Sequence, residues 1–179
     1  TELRDIFGGV CELIPMRDAG FDDDIDENGD TFEQNAAIKA EAVMRATGLP
    51  TLADDSGLSV QALGGEPGVH SARYAGTHGE DGANNRLLLE NMTGIEDRRC
   101  KFVCAMALAL PAEQTRVVLG ECEGTLLTEN RGESGFGYDP LFLYENGKTF
   151  AQMSEKKKNA VSHRAHAAQA MRAVLEEVF

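Results

Sequence analysis

The sequence predicts an α/β fold built on a mixed β-sheet, in a single domain. Three observations point there. Segments with strand-like and helix-like apolar spacing mix along the chain without strict alternation. The length of 179 residues suits one domain with its own core and would cramp two. No Pro/Gly/Ser-rich linker and no internal repeat divides the chain, so residues 1–179 are expected to form one domain.

The elements follow in order. Thr1 to Phe7 reads as the end of a helix stopped by Gly8-Gly9. Val10 to Ile14 reads as a short strand ended by Pro15. Thr31-x-x-Gln34 is a capping-box pattern, and the Ala-, Glu- and Lys-rich run behind it predicts a helix over 32–47, stopped by Gly48 and Pro50. Thr51-Leu52-Ala53 reads as a strand that opens into a loop at Asp54-Asp55-Ser56-Gly57. Gly64, Gly65, Pro67 and Gly68 mark turns. Asn84 to Met92 reads as a helix, and Cys100 to Leu110 with Thr115 to Leu127 as a hairpin around Pro111. A loop at Gly132 to Gly137 precedes a strand at Leu141 to Tyr144. One long helix over 158–177 closes the chain, with Val161, Ala165, Ala168, Met171, Leu175 and Val178 at helical spacing.

Composition narrows the function classes. Apolar residues make up 42% and charged residues 26%, which suits a globular protein and not a disordered or collagen-like one. Lys and Arg number 17 against 30 Asp and Glu, so the formal charge is 17 − 30 = −13. Such a surface repels nucleic acid and anionic membrane, and neither is expected as a partner. A small anionic substrate stays open, because a divalent cation can bridge carboxylates and phosphates. The longest apolar stretch, Phe102 to Ala112, falls short of the about 20 residues a spanning helix needs. Thr1 to Asp5 has neither a basic start nor an apolar run, so no signal peptide is expected. Cys11, Cys100, Cys104 and Cys122 form no C-x-x-C pair and no zinc pattern, and read as reduced, partly buried thiols of a cytoplasmic protein.

Four segments could carry chemistry. Asp24-x-Asp26-x-Asn28-Gly29-Asp30 matches the first half of a calcium-binding EF-hand loop. Its twelfth position is Asn35 instead of a bidentate Glu, and Pro15 and Gly20 interrupt any entering helix. A solvated acidic loop is the other reading. Asp54 and Asp55, placed after a buried strand, lie where open α/β sheets put ligands. Neighbours on a strand face opposite sides, so one carboxylate would face a site, where it could hold Mg²⁺ or take a proton from water. The same residues also suit an Asx turn. Ser134-Gly135-Phe136-Gly137-Tyr138-Asp139-Pro140 sets two aromatics on a Gly-flanked loop, fit to stack on a base or to tuck into the core. Lys156-Lys157-Lys158 opens the last predicted helix, ahead of His163 and Arg164. Cations there oppose the helix dipole, and a phosphate would relieve the cost. Together these features suggest a metal-bound, phosphorylated, ring-containing ligand.

The motifs also occur in a familiar series. Thr31-Phe32-Glu33-Gln34-Asn35-Ala36, Ala53-Asp54-Asp55-Ser56-Gly57-Leu58 and Leu63-Gly64-Gly65-Glu66-Pro67-Gly68 are followed by Ser71-Ala72-Arg73-Tyr74, Gly135 to Pro140 and Ser162-His163-Arg164. Over essentially the whole chain this series resembles the inosine triphosphate pyrophosphatase family, the purine nucleoside triphosphate pyrophosphatases that clear non-standard nucleotides. The resemblance implies an elongated mixed sheet flanked by helices, with two lobes and a nucleotide cleft between them. It implies a homodimer that hydrolyses ITP, dITP and XTP to the monophosphate and pyrophosphate with Mg²⁺. It makes Asp55 the metal-binding carboxylate and general base, and Asp26 or Glu27 the second acidic metal position. Ser56 would touch the nucleotide and Lys158 the phosphates or base. Phe136, Gly137, Tyr138 and Asp139 would frame the base, and His163 and Arg164 would read its 6-oxo edge.

Two departures stand out. The family has an acidic residue in the place of Gln34, whereas here Glu33 lies one position earlier. The family also opens with a strand and a phosphate loop of pattern [ST]-x-N-x-x-K, and Thr1-Glu2-Leu3 matches the chain just after that loop. A protein without those residues is expected to show weak or no catalysis. The expectation is therefore a Mg²⁺-dependent pyrophosphatase. The rivals are a nucleotide-binding protein with impaired catalysis and a calcium-binding module on Asp24 to Asn35.

Overall fold

The computed structural model describes residues 2–179. Its elements are α1 (Glu2–Phe7), α2 (Phe32–Thr47), β1 (Thr51–Val60), α3 (Asp81–Asn91), β2 (Arg99–Ala109), β3 (Arg116–Leu126), β4 (Phe142–Leu143), α4 (Glu155–Val161) and α5 (His163–Val178). The strands form one sheet in the order β1-β2-β3-β4, with Thr125 opposite Leu143 and Leu126 opposite Phe142 in an antiparallel pair. Helices and strands mix as expected for the α/β class. The chain forms two compact units, Thr1–Asp55 with Cys104–Gly120 and Arg164–Phe179, and Ser56–Val103 with Glu121–His163.

In the first unit the period-two alternation of β2 sorts the core. Cys104, Met106, Leu108 and Leu110 pack on Phe7 of α1 and on Ala167, Ala168, Met171 and Leu175 of α5. Those α5 positions recur at helical spacing and form one apolar stripe. Ala105, Ala107 and Ala109 face the other way, onto Ala36 and Ala40 of α2. Small side chains on both sides let helix and sheet approach closely. Helix α2 starts at Thr31, whose Oγ1 accepts from the Gln34 amide at 3.1 Å, and ends at Gly48.

In the second unit Leu58, Val60, Leu88, Met92, Phe102, Leu126, Leu141, Phe142 and Phe150 share a core. Ring centroids of Phe102 and Phe142 lie 4.5 Å apart, and those of Phe142 and Phe150 4.7 Å apart. The Phe142 ring lies over Gly124 of β3: a Cβ there would meet the ring at 2.5 Å and the Leu143 carbonyl at 2.8 Å. Gly124→Ala is therefore expected to cost about 1–3 kcal/mol by overpacking, read from the urea midpoint at unchanged slope.

Several expectations need correction. Asp54 and Asp55 do not lie in a loop after a short strand; β1 runs through them to Val60. Buried Leu58 and Val60 outweigh the turn propensity of Asp-Asp-Ser-Gly. Val10 to Ile14 forms no strand: Val10, Cys11 and Leu13 pack on the core from irregular chain. The predicted strand at Leu141 to Tyr144 shrinks to Phe142–Leu143. The single last helix is two, because Ser162 takes an extended conformation (φ −69°, ψ 157°) between α4 and α5. Lys156 to Lys158 thus sit on a seven-residue helix capped by Ser154. No helix among the described residues is long and apolar enough to cross a membrane. All four cysteines are free thiols, and burial pushes Cys100 up to about 12 and Cys122 up to about 11.

Candidate functional site

Alternation along β1 sends Asp54 and Asp55 to opposite sides. Asp54 Oδ2 accepts from Arg164 Nη2 at 2.6 Å and Nε at 3.2 Å, a charge-assisted pair at the start of α5. Asp55 meets α2 instead. Asn35 and Lys39 lie four residues apart and so share a helix face. The Lys39 ammonium stands 3.6 Å from Asp55 Oδ1 and 3.1 Å from Glu27 Oε1, linking the two carboxylates. Asn35, 2% exposed, favours the ionised Asp55 carboxylate from the same helix face and accepts from the Gly29 amide at 2.8 Å, which ties the acidic loop down. Asp55 Oδ2 is buried and has no hydrogen-bond partner. Burial raises the Asp55 carboxyl above the usual aspartate range; Glu27 adds to the rise, while Lys39 and Asn35 oppose it.

These residues fit a hard divalent cation. Magnesium is typically bound through one or two carboxylates plus substrate phosphates, not by an all-protein cage. Asp55 and Glu27 supply two oxygen donors around a spot already filled by positive charge, and one Asp55 oxygen is buried without a partner. No cluster of three or more His, Cys, Asp or Glu that could hold a metal occurs among the described residues. Glu27 is half-buried and reaches Lys39, whereas Asp26 is exposed. Asn35, the twelfth position of the calcium-loop pattern, is taken up by Gly29, and only turns and irregular chain separate α1 from Asp24.

In the second unit the Phe136–Asp139 loop and Lys158 come together. Lys158 Nζ donates to Asp139 Oδ2 at 2.5 Å and lies 4.4 Å from the centre of the Phe136 ring. The same Asp139 oxygen accepts from the Phe136 amide at 3.1 Å, so one buried carboxylate fixes both. The Phe136 ring is 71% exposed and free to stack. Tyr138 is tucked into the core, its hydroxyl donating to the Ser71 carbonyl at 2.7 Å, and burial pushes its phenol up. The His163 ring stacks on Phe102 at 4.8 Å. Ser56 lies half-buried on β1 directly after Asp55.

Sequence reasoning missed Asn35, Lys39 and the Asp54–Arg164 pair. A signal existed for the first two: Asn35 and Lys39 interrupt the helix face that otherwise carries Ala36, Ala40 and Val43. The pairing of Asp54 with a residue 110 positions away left no local trace.

Fold and site define a member of one family of α/β proteins. The Ham1 family pattern matches residues 1–174, and the chain belongs to the Ham1 family. It is 50% identical over 170 residues to the dITP/XTP pyrophosphatase of Syntrophobacter fumaroxidans, covering 93% of this chain and 68% of that one. Identity to the dITP/XTP pyrophosphatase of Bacillus subtilis is 47%, over 92% of this chain and 85% of the relative. The solved Staphylococcus aureus Ham1 protein superposes with a TM-score of 0.92 at 41% identity, over 99% of this chain and 93% of that chain. A Coxiella burnetii HAM1 protein does so at 0.92 and 38% identity, over 98% and 92%. The resemblance read from the motifs is borne out.

Proposed function

We propose that the protein hydrolyses non-standard purine nucleoside triphosphates (ITP, dITP and XTP) to the monophosphate and pyrophosphate with Mg²⁺, and so clears them from the nucleotide pool. The observation that carries this reading is the half-buried Asp55 carboxylate, with one buried, unpartnered oxygen beside Glu27 and Lys39. Membership of the Ham1 family and the likeness to dITP/XTP pyrophosphatases support it. Asp55 takes the proton of the water that attacks the α–β phosphate link. Asp55 and Glu27 would hold magnesium, whose charge would offset that of the phosphates. Asn35 favours the ionised form of the Asp55 carboxylate.

Ser56 contacts the nucleotide, and Lys158 contacts its phosphates or base. Phe136, Gly137, Tyr138 and Asp139 form the base-binding loop. His163 and Arg164 offer donors to the 6-oxo group. Adenine carries a 6-amino donor, which such a site would leave unpaired on burial. The same reading has the chain act as one domain, as a cytoplasmic homodimer without nucleic-acid or membrane partners. The formal charge of −13 supports the absence of nucleic acid.

Arg164→Ala and His163→Ala are each expected to narrow the preference for ITP over ATP by about tenfold, measured as the ratio of kcat/KM values. An unchanged ratio would remove the residue from base recognition. Pyrophosphate release from ITP, followed with and without EDTA, tests the reaction itself: release should stop on chelation and return with Mg²⁺. Release that persists in EDTA would contradict the metal role.

A further inference from the structure

Asp139 is not the only anchor of the Phe136–Asp139 loop. Helix α3 grips Gly137 by both of its peptide groups. The Gly137 amide donates to Asp81 Oδ2 at 2.8 Å, and its carbonyl accepts from Asn85 Nδ2 at 3.1 Å. Asp81 and Asn85 are four residues apart and share one face of α3. Gly137 lies in the left-handed region (φ +59°), so the loop turns sharply where it is gripped. Asn84, between them, accepts from the Ala75 amide at 2.8 Å and donates to the Ala72 carbonyl at 3.1 Å. That holds the segment whose Ser71 carbonyl receives the Tyr138 hydroxyl. Three consecutive or near-consecutive side chains of one helix thus anchor the loop, directly and through its neighbour.

Asn85 carries a further sign. It is 6% exposed, and its Oδ1 is buried without a hydrogen-bond partner. An unpaired buried acceptor costs stability, so a leucine of similar size would suit the site better on packing grounds. The asparagine is explained by its one donation, to Gly137.

We propose that Asn85 and Asp81 are positioning residues that set the Phe136–Asp139 loop for the purine base. The inference rests on the proposed function of that loop. It makes base affinity, and not fold stability, the property these side chains serve.

The test uses Asn85→Leu, Asp81→Ala and the conservative Asp81→Asn, which keeps an acceptor for the Gly137 amide. Binding of inosine monophosphate and of inorganic pyrophosphate is measured by calorimetry, with melting temperatures and hydrogen exchange at the Gly137 amide. Asn85→Leu and Asp81→Ala should weaken inosine monophosphate about tenfold and leave pyrophosphate within about twofold, as loss of one hydrogen bond predicts. Asn85→Leu should melt no lower than wild type. Asp81→Ala should speed exchange at Gly137, and Asp81→Asn should restore slow exchange and nucleotide affinity. Unchanged inosine monophosphate affinity, or equal loss of both ligands, would overturn the positioning role. Wild-type protein that binds pyrophosphate but not inosine monophosphate would instead overturn the functional reading of the loop, and with it the purpose assigned to the grip.

Discussion

Asp55→Asn is expected to lower turnover about a thousandfold while the fold survives. The carboxylate is placed by β1 and faced by Lys39, and its second oxygen is buried without a partner. Asparagine keeps the size of the side chain but cannot take a proton from water. Its effect on stability should run the other way. An acid whose folded pKa is raised destabilises the fold once the pH has passed the folded value, because the unfolded chain then ionises at less cost. For Asp55 that stabilising contribution is whole below the unfolded value and is lost as pH rises through the higher folded one. At neutral pH, in EDTA, Asp55→Asn should therefore melt at or above the wild-type temperature. Wild-type turnover in this variant would refute Asp55 as the base, and a collapsed melting curve would make it a structural residue.

The second large effect is expected at Asp139. Asp139 is 3% exposed, and the Lys158 side chain it holds is 13% exposed. Removing one partner of a buried ion pair leaves the other charge without compensation and costs about 3–5 kcal/mol. Asp139→Ala should lose about that much in urea denaturation, and the Phe136 amide loses its acceptor as well. Combining Asp139→Leu with Lys158→Met should restore most of the stability, since a packed apolar pair of similar volume is often no worse than the ion pair. The double variant should still bind inosine nucleotides poorly, because the cation over the Phe136 ring is gone. Full nucleotide affinity in that variant would show that the pair serves only the fold.

The parts of the structure that were legible in the sequence are those fixed by local chemistry. Thr31 and Gly48 bound α2 because a cap and a left-handed stop leave clear residue signatures. The hairpin of β2 and β3 showed as two strand-like segments around Pro111. The sequence misled where tertiary packing outweighed local preference. Asp54-Asp55-Ser56-Gly57 has turn composition, yet it is held in β1 by the buried residues that follow. Ser162 breaks the closing helix although the apolar spacing runs on across it. In the site, Asp55 and Lys158 stood out as motif residues, whereas Lys39, Asp81 and Asn85 act through contacts 16 to 56 positions away that no local pattern records.

Product analysis with the full-length protein is the most direct test of the central claim that Asp55 directs water to the α–β link of an inosine-type triphosphate. Incubated with ITP and Mg²⁺, the wild-type protein should release inosine monophosphate and pyrophosphate in equal amounts and leave ATP essentially intact. Inosine diphosphate with orthophosphate as the products, or ATP consumed as fast as ITP, would contradict it.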